Sequence, residues 1–214
     1  MRVGILGSGP VGQALGAGFA AHGHDVKLGS KTPDKPELMK WKKETPGTVS
    51  LGTFADVAAH GEVLVLCCLG SATEQVIDLA GPAHFDGKVL IDATNALDFS
   101  AGMPPGLFVG GTDSLGERNQ RKLPKARVVK CFNIVPNSVM AHPEIHGSVA
   151  DMMIAGNDEA AKATVVGILR EFGWTGAIDI GGIDGARWLE ALVPLWVRVA
   201  MKIGNFNAAF KVLT

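Results

Sequence analysis

The chain has 214 residues, of which 47% are hydrophobic and 19% charged, and its formal net charge is −1. These values predict a globular protein and exclude a disordered chain, and the small net charge argues against a nucleic-acid or membrane-surface partner. The three cysteines include an adjacent pair, Cys67 and Cys68. An odd count without metal spacing predicts reduced thiols in a cytoplasmic protein.

Short apolar runs alternate with helical patterns along the first half of the chain. Residues 2–6 form an apolar run that ends at Gly7, and an Ala- and Gly-rich helical pattern follows it. The same patterns predict strands at 2–6, 25–28, 48–51, 62–68 and 88–92, and helices at 10–22, 33–44, 54–59 and 71–80. Strands that alternate with helices imply a mostly parallel sheet with both faces covered.

The second half begins with a long Gly- and Pro-rich stretch, residues 93–124, which predicts an irregular and functional loop. A strand at 127–132 follows, and then a last β-α-β unit with strands at 151–155 and 177–180 around a helix at 159–172. From residue 184 onwards the pattern is helical to about residue 210, with Pro194 expected to kink or split the helix.

The sequence GSGPVG, residues 7–12, fits the pattern G-x-G-x-x-G. It follows an apolar strand and opens a helix, which is the context that gives this pattern meaning. Gly7 would permit a tight turn, Gly9 would let the backbone approach a pyrophosphate, and Gly12 would let the helix lie close to the strand. The motif therefore predicts a dinucleotide-binding site.

The end of the second strand indicates which dinucleotide is bound. An acidic residue about 20 positions after the glycine motif would accept hydrogen bonds from the ribose 2′-hydroxyl of NAD. Here the strand ends in Gly29, Ser30 and Lys31, with Lys35 one helical turn later. One hydroxyl and two ammonium groups suit a 2′-phosphate, so the sequence predicts NADP(H).

Three loops are expected at the carboxyl edge of the sheet, where open α/β sheets bind their ligands. They contain Leu69, the run from Asp92 to Asn95, and the turn from Asn133 to Pro136. We expect them to surround the nicotinamide half. The cofactor itself performs hydride transfer, so no catalytic side chain is assigned.

The C-terminal segment is apolar on more than one side. One stripe runs through Trp188, Leu192, Val199 and Phe206, and we expect it to pack on the chain's own sheet domain. The opposite stripe runs through Leu189, Val193 and Val197 and is left without a partner. Exposed apolar patches usually mark interfaces, so this stripe predicts a homodimer.

The motifs in their order resemble the coenzyme F420-dependent NADP oxidoreductase family. The resemblance rests on GSGPVG, the GSK turn, VLIDATNAL, ARVVKCFNIVP and DGARWLEALVPLWVRVAMKIG. It implies a Rossmann fold with a short C-terminal extension, often dimeric, and hydride exchange between NADP and a deazaflavin. The family is related to the NADPH-binding domains of membrane ferric reductases, which pass electrons from NADPH to a flavin. Carried over, it implies pyrophosphate contacts from Ser8, Gly9, Pro10 and Val11, 2′-phosphate contacts from Ser30, Lys31 and Lys35, and nicotinamide contacts from Leu69, Asn95 and residues 133–136.

The prediction is therefore an α/β protein with a doubly wound, mostly parallel Rossmann-type sheet. Residues 1–183 would form the NADP-binding domain, and 184–214 a helical segment that completes the core and forms the dimer interface. The expected function is an NADP(H)-dependent oxidoreductase whose small-molecule acceptor is coenzyme F420, a flavin, a quinone or an iron chelate. The alternatives are a non-enzymatic NADP(H)-binding redox sensor and a dehydrogenase of small hydroxy acids or imines.

Overall fold

A computed structural model describes residues 1–213. The strands within that range are β1 (Arg2–Leu6), β2 (Asp25–Gly29), β3 (Val49–Gly52), β4 (Val63–Leu66), β5 (Val89–Asp92), β6 (Leu97–Asp98), β7 (Gly106–Leu107), β8 (Arg127–Lys130), β9 (Glu144–Ile145), β10 (Ser148–Val149), β11 (Met153–Gly156) and β12 (Ile178–Asp179). The α-helices are α1 (Pro10–Ala21), α2 (Pro36–Glu44), α3 (Phe54–His60), α4 (Thr73–Ala80), α5 (Leu115–Lys122), α6 (Asn137–Met140), α7 (Glu159–Glu171) and α8 (Ala186–Ile203).

Eight strands form the main sheet in the order β12-β11-β8-β5-β4-β1-β2-β3. Six neighbouring strands of this sheet are parallel to one another, namely β8, β5, β4, β1, β2 and β3. The strand order reverses between β1 and β4, and this reversal opens a crevice at the carboxyl edge of the sheet. The predicted doubly wound Rossmann-type fold is confirmed.

Apolar side chains alternate between the two faces of the sheet, so both faces are buried. In β1, Val3 and Ile5 join the core cluster that also contains Leu15 and Phe19 of α1. Leu6 points to the other face and joins a second core cluster on the side of α3 and α4. This two-sided burial explains why β4, and β1 after Arg2, carry no polar residue and do not alternate.

The structure differs from the sequence prediction in the second half of the chain. The stretch 93–124 is not wholly irregular, because it contains the antiparallel β6–β7 hairpin and helix α5. Ser114 caps α5, since its side chain accepts a hydrogen bond from the Glu117 amide. A second hairpin, β9–β10, was also missed, and β11 runs antiparallel to β8.

Helix α8 is one continuous helix from Ala186 to Ile203 with Pro194 inside it, and residues 205–213 are not helical. The prediction of which stripe faces inward was wrong. Leu189, Val193 and Val197 are at most 6% exposed, whereas Trp188 is 69% exposed. Both stripes are apolar, so periodicity alone could not choose between them. Within the described residues, no helix has the length and apolarity needed to cross a membrane.

Candidate active site

The carboxyl ends of five parallel strands lie side by side at the crevice. In the sheet register Leu6 of β1 pairs with Gly29 of β2 and with Leu66 of β4. Leu66 pairs in turn with Asp92 of β5, and Asp92 pairs with Lys130 of β8. The residues that follow these strand ends are those that the sequence singled out, so the fold brings the three predicted loops and the glycine motif to one edge.

The glycine motif has the geometry that the sequence predicted. Gly7 has a φ of +139°, which favours glycine. A Cβ added to Gly12 would lie 2.0 Å from the Gly7 carbonyl oxygen, so the helix could not lie this close with any other residue. A Cβ added to Gly9 would have no atom within 4 Å and would project into open space.

Gly9 is also the N-cap of the twelve-residue helix α1, with Pro10 in the first turn and Val11 after it. The first amides of an α-helix have no partner inside the helix and carry partial positive charge. The loop before the helix is held in shape, because Gln13 donates a hydrogen bond of 2.9 Å to the Ser8 carbonyl oxygen. The result is an open cradle for an anion at the start of α1.

A cavity lies at the end of β2, the strand next to β1 in the sheet. Its lining residues are Ser30, Lys31, Thr53, Phe54, Gln75 and Leu79, and none of these six is acidic. Ser30 is buried and its hydroxyl accepts a hydrogen bond from the Thr32 amide, while Lys31 Nζ donates to Gln75 Oε1 over 2.6 Å. Lys35 does not line this cavity and is exposed at the start of α2. Gln75 was missed because nothing in the α4 pattern distinguishes it from an ordinary exposed residue.

The loops after β5 and β8 meet through two asparagines. Asn95 Nδ2 donates to the Asn133 carbonyl oxygen and Asn133 Nδ2 donates to Asn95 Oδ1, each over 2.9 Å. The loop after β4 packs against the same pair, since a Cβ added to Gly70 would lie 2.0 Å from the Asn95 carbonyl oxygen. Leu69 beside it is 74% exposed. Pro136 is half-buried and forms the N-cap of α6.

The turn that carries Asn133 is strained. Phe132 is fully buried and has a φ of +67°, a region that bulky residues rarely adopt. Strained residues of this kind cluster at functional sites. Asn133 Nδ2 also donates to the Leu189 carbonyl oxygen, which orients the amide. Its Oδ1 is buried and has no hydrogen-bond partner within residues 1–213.

The sequence analysis named Asp92 but missed Lys130 and Glu190, the two buried charges that pair behind these loops. Lys130, at the end of β8, lies 3.3 Å from Asp92 Oδ2 and 2.8 Å from Glu190 Oε1 of α8. All three side chains are at most 2% exposed. A lysine within the apolar run RVVKCF and a glutamate within the apolar α8 pattern were the available signals.

The cysteines near the site are not reactive groups. Burial raises the pKa of the Cys67 thiol well above its usual value. Burial, followed by the negative charge of Asp92, raises the pKa of Cys68 to about 12. Because the thiolate is the nucleophile, these thiols are inert at neutral pH. Within residues 1–213 no group of His, Cys, Asp and Glu side chains could hold a metal ion.

The chain is similar to several named reductases over nearly its whole length. A family model for NADP oxidoreductase, coenzyme F420-dependent, matches residues 2–96. The F420-dependent NADP reductase of Methanothermobacter marburgensis is 28% identical over an alignment of 230 positions, gaps included. The alignment covers 99% of this chain and 98% of that protein. The metalloreductase STEAP3 of Rattus norvegicus is 27% identical over 96% of this chain, and the match covers 40% of that longer protein.

Solved structures give the same picture. The crystal structure of a candidate F420-dependent NADP-reductase from Arthrobacter sp. FB24 has a TM-score of 0.96 and 39% identity, and each chain covers 100% of the other. An imine reductase from Aspergillus terreus, solved with NADPH4 and dibenz[c,e]azepine, has a TM-score of 0.67 at 22% identity. The match covers 95% of this chain and 63% of the imine reductase, and it reflects a shared fold.

Proposed function

Because the chain belongs to the coenzyme F420-dependent NADP oxidoreductase family and is an NADP-dependent oxidoreductase, we propose that it transfers hydride between NADP(H) and the deazaflavin coenzyme F420. The observation that carries this proposal is the open cradle at Gly9 together with a non-acidic cavity at the end of the neighbouring strand β2. The acceptor is inferred from relatives that are named F420-dependent NADP reductases, since the matches cover 98% of those proteins.

The cradle at the start of α1 fits a pyrophosphate. The space in front of Gly9 is free of protein atoms within 4 Å of an added Cβ, so phosphate oxygens could approach the backbone there. Ser8, Gly9, Pro10 and Val11 would surround the pyrophosphate, and the amides of the first turn would donate to it. The positive end of the α1 dipole would stabilise its charge.

The cavity after β2 fits the 2′-phosphate of NADP. The buried Ser30 hydroxyl and the Lys31 ammonium group are available as donors on its wall. Gln75 holds the Lys31 side chain across the cavity through their 2.6 Å hydrogen bond. Lys31 would exchange this neutral partner for a phosphate oxygen, and the charge-assisted bond is the stronger one. Lys35 would add long-range attraction at most, because it lies outside the cavity.

The Asn95–Asn133 pair would form the wall of the nicotinamide end. Its reciprocal hydrogen bonds fix the two loops relative to each other, and Leu69 offers an exposed apolar side chain next to Gly70. NADPH, when bound, supplies the hydride, and the oxidised deazaflavin takes up that hydride with one proton from solvent. The roles of this chain's residues are to orient the two rings and to exclude water between them.

A homodimer is part of the proposal. The outward face of α8 carries Trp188, Leu195 and Val199, which are 40–69% exposed, with the half-buried Leu192 between them. These four positions are spaced by four, three and four residues, so they form one line along the helix. Such a line on each of two copies is the pattern of an antiparallel or parallel helix pair. A second copy of the chain is therefore the proposed occupant of this face.

The function is tested by steady-state oxidation of NADPH with oxidised F420, FMN, menadione and a ferric chelate as separate acceptors. We expect F420 to be reduced with a kcat/KM at least about a hundredfold above that for any other acceptor. Equal turnover with FMN or menadione would contradict the choice of acceptor. Tight NADPH binding without turnover of any acceptor would favour the redox-sensor alternative.

A further inference from the structure

A buried charged cluster lies directly behind the Asn95–Asn133 pair. It consists of Lys130, Asp92 and Glu190, which come from the end of β8, the end of β5 and helix α8. Burying charges is unfavourable unless they are paired and hydrogen-bonded, and an apolar group of equal size is often at least as stabilising. A cluster of this kind therefore contributes little to stability. Its role is indicated by the residues that it holds in place.

The cluster is nearly complete in its hydrogen bonds. Glu190 accepts from the amides of Leu115 and Gly116, each over 2.9 Å, and so caps the N-terminus of α5. Asn119 of α5 donates to Asp92 Oδ2 over 3.0 Å. Asp92 and Glu190 carry two negative charges, but Lys130 supplies only one positive charge. The amides at the start of α5 help to stabilise the remaining negative charge on Glu190. Helices α5 and α8 are thereby joined to the carboxyl ends of β5 and β8.

Thr94 is the residue that this cluster holds most firmly. Its amide and its hydroxyl both donate to Asp92 Oδ1, over 2.9 and 2.6 Å. Its carbonyl oxygen accepts from Lys130 Nζ over 2.6 Å. The N–H, the side chain and the C=O of one residue are thus all bound to the cluster. The position and direction of the next residue, Asn95, follow from this anchorage.

We propose that Lys130, Asp92 and Glu190 are positioning residues that hold the Thr94–Asn95 turn in the orientation required for hydride transfer. This inference rests on the proposed function, because it takes Asn95 as part of the nicotinamide wall. Lys130 is 0% exposed and so touches neither cofactor nor acceptor. It acts through Thr94, and Glu190 acts through Lys130.

The test compares Thr94→Val with Thr94→Ser. Valine keeps the shape of the side chain and loses the hydroxyl bond to Asp92, whereas serine keeps the bond and loses a methyl group. In the protein without cofactor, we expect hydrogen–deuterium exchange of the peptide that contains residues 94 and 95 to be at least tenfold faster in Thr94→Val. Thr94→Ser should exchange within about threefold of the wild type.

A second pair of variants separates the cluster from general loss of stability. Glu190→Gln changes the carboxylate that contacts Lys130, while Glu117→Gln makes the same change on α5 in a carboxylate that pairs with Arg187 and Ser114. Both remove a charge near the start of α5. Only Glu190→Gln should accelerate exchange at residues 94 and 95.

Hydride transfer and cofactor binding complete the experiment. In Thr94→Val and Glu190→Gln the single-turnover rate of NADPH oxidation should fall at least tenfold, while the Kd for NADPH should change less than threefold. Unchanged exchange, an unchanged rate, or equal loss of rate and NADPH affinity would overturn the proposal. If the wild type reduces no acceptor, the proposed function fails, and the exchange rates alone decide whether the cluster holds the turn.

Discussion

Gly9 carries the prediction about pyrophosphate binding. Its backbone φ of −74° is accessible to any residue, and an added Cβ meets no protein atom within 4 Å. Gly9→Val should therefore fold normally and lose NADPH binding by roughly a hundredfold or more, because the side chain would fill the space of the phosphates. Fluorescence titration with NADPH measures the loss.

The matched control is Gly167→Val in α7, where an added Cβ also meets open space. It should bind NADPH as the wild type does. Full NADPH affinity in a well-folded Gly9→Val variant would show that the pyrophosphate lies elsewhere.

Variants of Lys31 and Lys35 distinguish a direct contact in the cavity from a general effect of positive charge on NADPH binding. Lys31 lines the cavity at the end of β2, and Lys35 does not. Loss of one charge-assisted hydrogen bond costs about 1.5–3 kcal/mol, so Lys31→Ala should weaken NADPH binding about ten- to a hundredfold and leave NADH binding nearly unchanged.

Lys35→Ala serves as the control, with an expected loss of less than about threefold for NADPH. Parallel titrations with the two nucleotides give the comparison. If the two variants lose the same affinity, or if Lys31→Ala loses NADPH and NADH alike, the cavity does not read the 2′-phosphate.

Single residues were predictable where the chemistry is local in sequence. The geometry of the glycine motif was predictable, because the tight turn, the open cradle and the close contact of the helix all lie within residues 7–12. Lys130 and Glu190 meet only after folding, 60 positions apart, and no spacing rule connects them. Gln75 is similar, since its bond to Lys31 crosses from α4 to the loop after β2.

Helix α8 shows what periodicity can and cannot predict for an element. Its existence follows from the pattern, but its end does not. The pattern is helical to about residue 210, whereas Gly204 adopts the left-handed conformation and ends the helix after Ile203. Its inward face did not follow, because both faces are apolar. The position of Glu190 on the face with Leu189 and Val193 becomes intelligible only with Lys130 opposite to it.

This orientation of α8 predicts unequal costs for two truncations. Leu189 is 0% exposed, so Leu189→Ala should lower the free energy of unfolding by about 2–5 kcal/mol. Met201 on the same helix is 44% exposed, so Met201→Ala should stay within about 0.5 kcal/mol of the wild type. Urea titrations followed by circular dichroism measure both values. Equal costs would show that α8 packs through a different face.

For the molecule as a whole, the outward line on α8 predicts a dimer in solution. Fully burying an exposed apolar side chain is worth about 1.5–3 kcal/mol, and the four partly exposed side chains of the line would each gain a part of this on both subunits. The sum can offset an association cost of about 4–15 kcal/mol. The wild type should therefore sediment as a dimer at micromolar concentration.

Leu195→Asp should sediment as a folded monomer, because it places a charge in the middle of the line. Met201→Asp adds the same charge at an exposed position of α8 outside the line and should remain dimeric. A wild type that sediments as a monomer, or a Leu195→Asp variant that stays dimeric, would contradict this interface.

The alternation of strands and helices made the fold class predictable as far as β8. Beyond it, β11 joins the sheet antiparallel to β8, and the sequence of a short buried strand does not state its direction. Helix α5 was missed because its sequence, LGERNQRK, is strongly polar and short. The helix relies on Ser114 and on Glu190 for its first turn, and the second of these lies far along the chain.

The contact between Glu190 and the start of α5 has a consequence for the order in which the protein can be made. Glu190 follows Gly116 by 74 residues, and translation at about 5–20 residues per second delivers it some 4–15 s later. During that interval on the ribosome β1 to β5 can already pair, whereas α5 lacks its cap and Lys130 lacks one of its carboxylates. The half of the sheet that holds the glycine motif is thus complete before the nicotinamide wall, and a nascent chain would acquire its nucleotide cradle before it acquires the turn that orients the reaction.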